Sequence, residues 1–328
     1  MKKLLRKLET KCTRNGSFLS DILSLEINIE NIKLRNPFIL ASGILGVSPS
    51  LFFRVASSGA GAIVTKTVTL EERKGFDNPV ITDAPCGLIN SMGLPNPGIK
   101  YFVNKYVKSI IDKIDIPIIL SIGPSSVKDV YEMSNIVLDS GLKWIEINAS
   151  CPHVKGHGLT VLGDESMLGE IIRVTKKKLS NFLIFVKISA HITNLAKIAE
   201  TIFSSGADGI VAINTLRAIA IDIWSKKPIL GGIFGGLSGP AIKPVALRCV
   251  YELYQYFPEK VIIGVGGISS WRDAIEFFLA GASAIQIGSV IAFKDLNIFK
   301  ELNDGVIKYL NKEGYDSINE IIGLAHRF

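Results

Sequence analysis

Between residues 36 and 310, short apolar runs alternate with longer segments whose apolar residues recur at helical spacing. The runs predicted to be strands are Phe38–Ala41, Ala62–Lys66, Pro117–Ile122, Trp144–Asn148, Leu183–Ile188, Gly209–Ile213, Val261–Val265 and Ala284–Ile287. Most of them are continuously apolar instead of alternating, which is typical of strands covered by helices on both faces. The pattern therefore predicts a parallel sheet.

Each predicted strand is followed by a segment with the period of an amphipathic helix. The predicted helices are Ser50–Ser57, Pro97–Ile114, Val127–Leu138, Ser166–Leu179, Asn194–Ser204, Pro240–Tyr256, Trp271–Leu279 and Asp295–Tyr309. Eight regular strand–helix units favour an α/β fold of the closed (β/α)8 TIM-barrel type over a doubly wound open sheet. Leu25–Leu34 is predicted to form a β-hairpin across the bottom of the barrel.

The composition is that of a globular protein with a large core. Hydrophobic residues make up 48% and charged residues 20% of the 328 residues, which excludes a disordered or collagen-like chain. No linker or low-complexity segment divides the sequence. We therefore predict a basic N-terminal leader over residues 1–24 and one barrel domain over residues 25–328.

The apolar runs of the chain have strand length, far below the roughly 20 residues that a membrane-spanning helix needs. The N-terminal stretch also has no apolar run long enough for a signal-peptide core. The four cysteines, Cys12, Cys86, Cys151 and Cys249, share no short spacing that would indicate a metal or iron–sulfur site. These observations predict a cytoplasmic protein without a membrane span or a bound metal.

The net charge of +7 comes from 37 lysines and arginines against 30 acidic residues. The excess positive charge is spread along the chain, and no arginine-rich stripe with interleaved aromatic residues is present. Solvated surface charge explains this pattern better than nucleic-acid binding does. A modest positive field that attracts small anions is also consistent with it.

Glycines follow the seventh and eighth predicted strands, in Gly264-Val-Gly-Gly-Ile268 and Ile287-Gly288-Ser289. Glycine lets backbone N–H groups approach a phosphate closely, and a barrel's phosphate site commonly lies after strands seven and eight. Either loop alone would be explained by a tight turn. Together they predict a phosphate cradle.

Two lysines lie at the ends of otherwise apolar strands, Lys66 in the second and Lys187 in the fifth. Burying an ammonium group is costly unless it meets an anion or an electron-rich group. A salt bridge, the Schiff-base lysine of an aldolase and a cation beside an isoalloxazine ring are all compatible with this placement. The accompanying phosphate cradle favours the cation.

Three asparagines occupy strand ends or an adjoining loop: Asn90, Asn148 and Asn214. Their side chains offer paired donors and acceptors, which suit a planar ring with alternating carbonyl and N–H groups. Cys151 follows the fourth strand in a loop, where a thiol can act as a base or a nucleophile. The sequence thus predicts a ring-binding site with a reactive thiol beside it.

These motifs together resemble class 1, soluble dihydroorotate dehydrogenases. The motifs are Asn36-Pro-Phe, Ala41-Ser-Gly43, Thr65-Lys-Thr67, Asn90-Ser-Met-Gly-Leu-Pro-Asn-Pro-Gly98, Asn148-Ala-Ser-Cys-Pro152, Val186-Lys187, Asn214-Thr215, Gly235-Gly-Leu-Ser-Gly239, Gly266-Gly267 and Gly288-Ser289. The resemblance runs from about Leu25 to about Gly288. It implies an FMN-containing barrel that oxidises dihydroorotate to orotate in pyrimidine synthesis.

The resemblance also implies residue roles. Cys151 matches the base that removes a proton from C5, Lys66 the lysine between flavin and substrate, and Lys187 the lysine near flavin N1 and O2. The substrate-binding residues it implies are Lys66, Asn90, Met92, Gly93, Leu94, Asn148, His153, Asn214 and Thr215. The flavin-binding residues are Ala41, Ser42, Gly43, Lys66, Thr67, Asn148, Lys187, Gly239, Gly266, Gly267, Gly288 and Ser289.

His153 departs from the family pattern, which has asparagine after Cys-Pro. The sequence Ser-Cys-Pro-His is similar to the flavin barrel of dihydropyrimidine dehydrogenase, which keeps uracil or thymine as an alternative substrate class. A substrate carboxylate suits a basic site and favours dihydroorotate. For partners, the resemblance implies a homodimer, or a heterotetramer with a subunit that carries FAD and a 2Fe–2S cluster, as in class 1B.

Overall fold

The computed structural model describes residues 23–149 and 164–327. Its strands are β1 (Ile27–Ile29), β2 (Ile32–Leu34), β3 (Phe38–Leu40), β4 (Ala62–Val64), β5 (Ile81–Ala84), β6 (Gly87–Asn90), β7 (Ile118–Ile122), β8 (Trp144–Asn148), β9 (Leu183–Ile188), β10 (Gly209–Ala212), β11 (Leu216–Ile219), β12 (Ile221–Asp222), β13 (Lys227–Pro228), β14 (Phe234–Ser238), β15 (Val261–Val265) and β16 (Ala284–Ile287).

Eight of these strands form a closed parallel barrel in the order β3, β4, β7, β8, β9, β10, β15 and β16. The barrel closes where β16 pairs with β3, with Ile285 opposite Phe38. Each of the eight predicted strands corresponds to one barrel strand, which confirms the (β/α)8 fold. The predicted hairpin is also present as β1 and β2, and the buried Ile27, Ile29 and Leu34 join the main core.

Helices alternate with the barrel strands. They are α1 (Pro49–Ser57), α2 (Ile99–Tyr101), α3 (Lys108–Ile110), α4 (Val127–Leu138), α5 (Glu165–Lys178), α6 (Leu195–Ser204), α7 (Lys243–Tyr256), α8 (Trp271–Leu279), α9 (Ile291–Lys294) and α10 (Asn297–Glu313), with π-helical Phe102–Val107 between α2 and α3. Within the described ranges, no helix is both long and apolar enough to cross a membrane.

Most predicted helix boundaries lie within a few residues of the observed ones, and two of the differences have a clear local cause. The helix expected to begin at Pro97 begins at Ile99, because Asn96 accepts hydrogen bonds from the N–H groups of Thr69 (3.1 Å) and Gly98 (2.9 Å) and holds the preceding residues in a turn. The last predicted helix, Asp295–Tyr309, begins instead at Asn297, because the φ of 51° at Asp295 is incompatible with a right-handed helix and breaks the chain between α9 and α10. The part after the break runs as α10 to Glu313.

A four-stranded antiparallel sheet, in the order β11, β14, β6 and β5, stands beside the barrel. None of these four segments is among the predicted strands. The glycine-rich β14 lacks a strand pattern, but its glycines have a packing reason, since a Cβ at Gly236 would lie 2.1 Å from Oγ1 of Thr215. The sheet joins two insertions, one after β4 and one after β10, into a single wall.

Candidate active site

A cavity of about 580 Å³ opens at the carboxyl ends of the barrel strands, where barrels of this fold carry their chemistry. Every predicted site residue within the described ranges lines it. These residues are Ala41, Ser42, Gly43, Lys66, Thr67, Asn90, Met92, Gly93, Leu94, Asn148, Lys187, Asn214, Thr215, Gly239, Gly266, Gly267, Gly288 and Ser289. The fold thus brings together residues that are far apart in sequence; their individual roles stay predictions.

The glycines after β15 and β16 differ in what their positions require. At Gly267, φ is +73° and a Cβ would lie 2.7 Å from the backbone nitrogen of Lys243, so the protein's own packing demands glycine there. At Gly288, an added Cβ would approach only the Cβ of Ala41, at 3.7 Å. Glycine at 288 therefore leaves open space beside the backbone, as a ligand phosphate needs.

Asp273 anchors the loop that follows Gly267. Its carboxylate accepts hydrogen bonds from the N–H of Ser269 and the hydroxyl of Ser270, both at 3.0 Å, and pairs with Lys243 Nζ at 2.7 Å. Burial acts to raise the pKa of Asp273, but the hydrogen bonds from Lys243 and the two serines outweigh it and lower that pKa below its usual range. The charged carboxylate is therefore part of the loop's stable geometry.

The two predicted lysines have different surroundings. Lys66 follows β4 and is half-buried, and its backbone N–H donates to the carbonyl of Gly46 at 2.6 Å. Lys187 is 4% exposed, lies on β9 directly opposite Asn148 of β8, and donates from Nζ to Oε1 of Gln286 at 3.1 Å. Lys187 is thus a buried cation at the base of the cavity.

The amide side chains of the cavity are joined by hydrogen bonds. Asn148 Nδ2 donates to Oγ1 of Thr67 at 3.1 Å, and Asn148 Oδ1 accepts from Nδ2 of Asn214 at 3.4 Å. The Oδ1 of Asn214 in turn accepts from the N–H of Thr215 at 2.8 Å. Because each amide has a partner that determines its orientation, the edges turned toward the cavity present fixed donors and acceptors.

The antiparallel sheet supplies the side wall of the cavity. Asn90 ends β6 and donates from Nδ2 to the carbonyl of Gly236 on β14 at 3.2 Å. Met92, Gly93 and Leu94 continue the wall, and positive φ angles at Gly93 (69°) and Leu94 (61°) turn the chain around the cavity. A planar ligand would lie between this wall and the amides of the barrel.

Three buried polar residues of the barrel interior are absent from the predicted site: Ser121, Glu146 and Gln286, of which Gln286 also lines the cavity. Gln286 Nε2 donates to Oε2 of Glu146 at 2.6 Å, and Ser121 donates to Oε1 of Glu146 at 3.5 Å. The signal was available, since a glutamate inside the apolar strand Trp144–Asn148 raises the same question of buried charge as Lys187 does.

Cys151 and His153, predicted as the base and as a substrate contact, lie outside the described residues. Among the residues that are described, no group of three His, Cys, Asp or Glu side chains is arranged to hold a metal ion. The described cysteines, Cys86 and Cys249, are both free thiols. Burial raises the pKa of the Cys249 thiol.

A family model described as dihydroorotate dehydrogenase matches residues 24–310. Three curated relatives are named dihydroorotate dehydrogenase B (NAD(+)), catalytic subunit. The one from Pyrococcus horikoshii is 44% identical over 304 residues, covering 92% of this chain and 97% of the relative. The one from Pyrococcus furiosus is 44% identical over 308 residues, with coverages of 93% and 100%. The one from Methanocaldococcus jannaschii is 41% identical over 304 residues, with coverages of 92% and 98%.

Among solved structures, a crystal structure of DHODH from Eimeria tenella in complex with ferulenol superposes with a TM-score of 0.79. It covers 99% of this chain and 95% of its own, at 24% sequence identity. That likeness supports the barrel fold, whereas the family follows from the sequence matches. The chain belongs to the dihydroorotate dehydrogenase family.

Proposed function

We propose that this chain oxidises dihydroorotate to orotate, with FMN as the hydride acceptor, in de novo synthesis of UMP. The observation that carries the proposal is that a glycine cradle, two lysines and three asparagines, two of which are hydrogen-bonded to each other, line one cavity of a chain from this family. A phosphate-bearing redox ring and a small planar heterocycle together account for all three groups of residues.

The cavity fits FMN by its donor set and its space. Gly266, Gly267, Gly288 and Ser289 would receive the phosphate, because their backbone is open at Gly288. Ala41, Ser42, Gly43, Thr67 and Gly239 would surround the ring system, with Lys187 near its electron-accepting edge. FMN, when bound, supplies a two-electron acceptor for the hydride that leaves C6 of the substrate.

The amides would hold the pyrimidine. Asn90, Asn148 and Asn214 can each pair a donor and an acceptor with the alternating carbonyl and N–H groups of the ring. Thr215 lies beside Asn214, and Lys66 supplies a cation for the substrate's negative charge. Met92, Gly93 and Leu94 would close the site and exclude water from the ring.

Cys151 is proposed as the general base. Its sulfur takes the proton from C5, and the electron pair of the broken C–H bond becomes part of the new C5–C6 double bond. A free thiol has a pKa of about 8.5 and is mostly protonated at neutral pH, so a neighbouring cation must assist it. His153, two residues later, is proposed as a substrate contact.

We further propose that the chain works with a second subunit that carries FAD and a 2Fe–2S cluster and passes electrons to NAD. This proposal is supported by the relatives, which are named NAD(+)-dependent catalytic subunits, and by the lack of a dinucleotide fingerprint in this sequence. A homodimer of the chain is proposed as the core of that assembly. Co-purification of a second coloured subunit, with sedimentation to count the copies, tests both.

The organisation proposed for the chain is one FMN-binding barrel domain over residues 25–328, preceded by a basic leader over residues 1–24. A cytoplasmic location is proposed with it. The free thiols Cys86, which is exposed, and Cys249, which is buried, are consistent with a reducing compartment.

The central experiment follows flavin reduction anaerobically in the stopped-flow instrument, with dihydroorotate and dihydrouracil side by side. We expect rapid bleaching with dihydroorotate and a rate reduced by about 10²- to 10⁴-fold in Cys151→Ala, the range that a general base supplies. Faster bleaching with dihydrouracil would instead support the pyrimidine-reducing alternative that His153 suggests. A colourless protein that forms a borohydride-reducible Schiff base with a carbonyl substrate would support an aldolase and overturn the proposal.

A further inference from the structure

A buried series of hydrogen bonds crosses the interior of the barrel at the base of the cavity. It begins at Glu146 on β8, passes through Gln286 on β16 and ends at Lys187 on β9. β8 and β16 are four positions apart in either direction around the eight-stranded barrel, so the first bond spans the barrel from one side to the other. Glu146, Gln286 and Lys187 are 0%, 1% and 4% exposed, respectively.

The chemistry of the two ends determines the orientation of the amide between them. A carboxylate only accepts hydrogen bonds and an ammonium group only donates them. Gln286 must therefore turn Nε2 to Glu146, at 2.6 Å, and Oε1 to Lys187, at 3.1 Å. With the amide reversed, its oxygen would face the carboxylate of Glu146 and its NH2 group would face the ammonium group of Lys187. Both buried contacts would then be repulsive, which is costly.

Only two of these three hydrogen-bonded residues reach the cavity. Lys187 and Gln286 line it, whereas Glu146 does not and is held from its other side by Ser121. The hydrogen-bond path from Glu146 to Lys187 therefore passes through the amide of Gln286. Its carboxylate also compensates the charge of Lys187 inside the barrel.

We propose that Glu146 is a positioning residue, which fixes the amide of Gln286 so that its oxygen holds the Lys187 ammonium group where it supports the negative charge of a reduced flavin. The inference rests on the proposed flavin function. According to this inference, Glu146 affects the midpoint potential of bound flavin although it does not contact the flavin.

The variant Glu146→Gln tests this with little change of volume. A neutral amide at position 146 can donate as well as accept, so it can pair with Gln286 in either orientation. The oxygen of Gln286 is then no longer held toward Lys187. We expect the preference of the protein for reduced over oxidised FMN to fall about tenfold, which is a midpoint potential lower by ~30 mV for a two-electron couple. Loss of a negative charge without any positioning effect would raise the potential, so the sign of the shift distinguishes the two explanations.

A double-mutant cycle with Lys187→Met shows whether the effect passes through Lys187. We expect Glu146→Gln to lower the potential in the wild-type chain but, in the Lys187→Met background, to show only the rise that loss of its negative charge causes. Equal shifts in both backgrounds would overturn the inference, as would a raised or unaltered potential in Glu146→Gln with FMN bound.

The exchange Glu146→Gln with Gln286→Glu provides a rescue, because Gln at 146 would donate to Glu at 286, which would accept from Lys187. We expect it to bring the potential back toward that of the wild-type chain; a value no closer than that of Glu146→Gln alone would overturn the inference. Asp208→Asn is the matched control, since Asp208 pairs with Lys176 at 2.7 Å and neither residue lines the cavity. Failure of every variant and of the wild-type chain to bind FMN would contradict the proposed function instead.

Discussion

The hydroxyl of Thr67 accepts a hydrogen bond of 3.1 Å from the side-chain amide of Asn148. The same hydroxyl lies 2.8 Å from Oγ of Ser121 and 3.0 Å from Oγ of Ser42, and Thr67 is 2% exposed. One buried hydroxyl therefore joins the amides of the cavity to the polar layer beneath them. The orientation of Asn148 depends on it.

Thr67→Val should disturb the site more than the fold. The change keeps the shape of the side chain but removes the hydroxyl that accepts from the amide of Asn148, a loss of roughly 1–3 kcal/mol in the free energy of unfolding. Misplacement of Asn148 should lower kcat/KM for dihydroorotate by up to about 100-fold. Thermal unfolding and steady-state kinetics measure the two effects.

Thr175→Val is the control for that variant, since Thr175 is equally buried but donates only to the carbonyl of Ile171 within α5. We expect it to affect stability without changing kcat/KM. Equal kinetic losses in both variants would show that Thr67 has no special part in orienting Asn148.

Gly288→Ala should weaken FMN binding without lowering stability, whereas Gly267→Ala should lower the stability of the protein itself. A methyl group at 288 fits the empty protein, so we expect unaltered thermal stability without FMN but weaker FMN binding, because the methyl group enters the space left for the phosphate. A methyl group at 267 meets the backbone of Lys243 at positive φ and should cost about 1–3 kcal/mol of stability even without FMN. Calorimetric titration with FMN and melting curves of the FMN-free protein separate the two, and tight FMN binding by Gly288→Ala would place the phosphate elsewhere.

Asp273→Asn should lower stability in a pH-dependent way. The pKa of Asp273 is depressed in the folded chain, so its stabilising effect is complete above the unfolded value of about 3.9 and is lost as the pH falls through the lower folded value. At neutral pH the variant should lose roughly 1.5–3 kcal/mol, the contribution of hydrogen bonds to a charged group.

Denaturant unfolding of the wild-type chain and the Asp273 variant at several pH values measures this difference. The gap between them should stay constant near neutral pH and narrow below pH ~4. A gap that widens on acidification would contradict the assignment of a charged, hydrogen-bonded carboxylate to Asp273 in the loop that follows Gly267.

Gly236→Ala should affect substrate binding and spare the cofactor. Its Cβ would lie 2.1 Å from Oγ1 of Thr215, so Thr215 and the neighbouring Asn214 must shift. We expect KM for dihydroorotate to rise at least about tenfold, the scale of 1.4 kcal/mol, with FMN still bound. Loss of FMN together with substrate affinity would show that the wall and the cradle are not separate parts of the site.

The barrel was predictable from sequence because its strands are buried on both faces. Runs such as Leu183–Ile188 and Val261–Val265 are apolar at nearly every position, and the helices between them keep a clear period. The side wall was not predictable in the same way. In β14, the sequence Phe-Gly-Gly-Leu-Ser has the composition of a loop, and its strand conformation depends on contacts with Thr215 and Ile89, which are distant in sequence.

The candidate site shows the same division. Glycines and asparagines at strand ends point to the cavity, because strand ends converge in a barrel whatever the details of packing. The pairing of Glu146 with Gln286 could not be predicted, since it depends on which strands face each other across the closed barrel and on the register of their side chains. A buried glutamate signals that a partner exists but does not identify it.

The barrel is completed only when the last of its strands has been synthesised. The barrel closes by pairing β16, its last strand in the sequence, with β3, its first strand. In the same way, the hydrogen bond from Asn90 to Gly236 needs a residue that is synthesised 146 positions later. A nascent chain stopped before residue 284 has neither a complete ring of strands nor the glycine at 288. The barrel can therefore close, and the cavity at its strand ends can form, only after residue 287 has been synthesised.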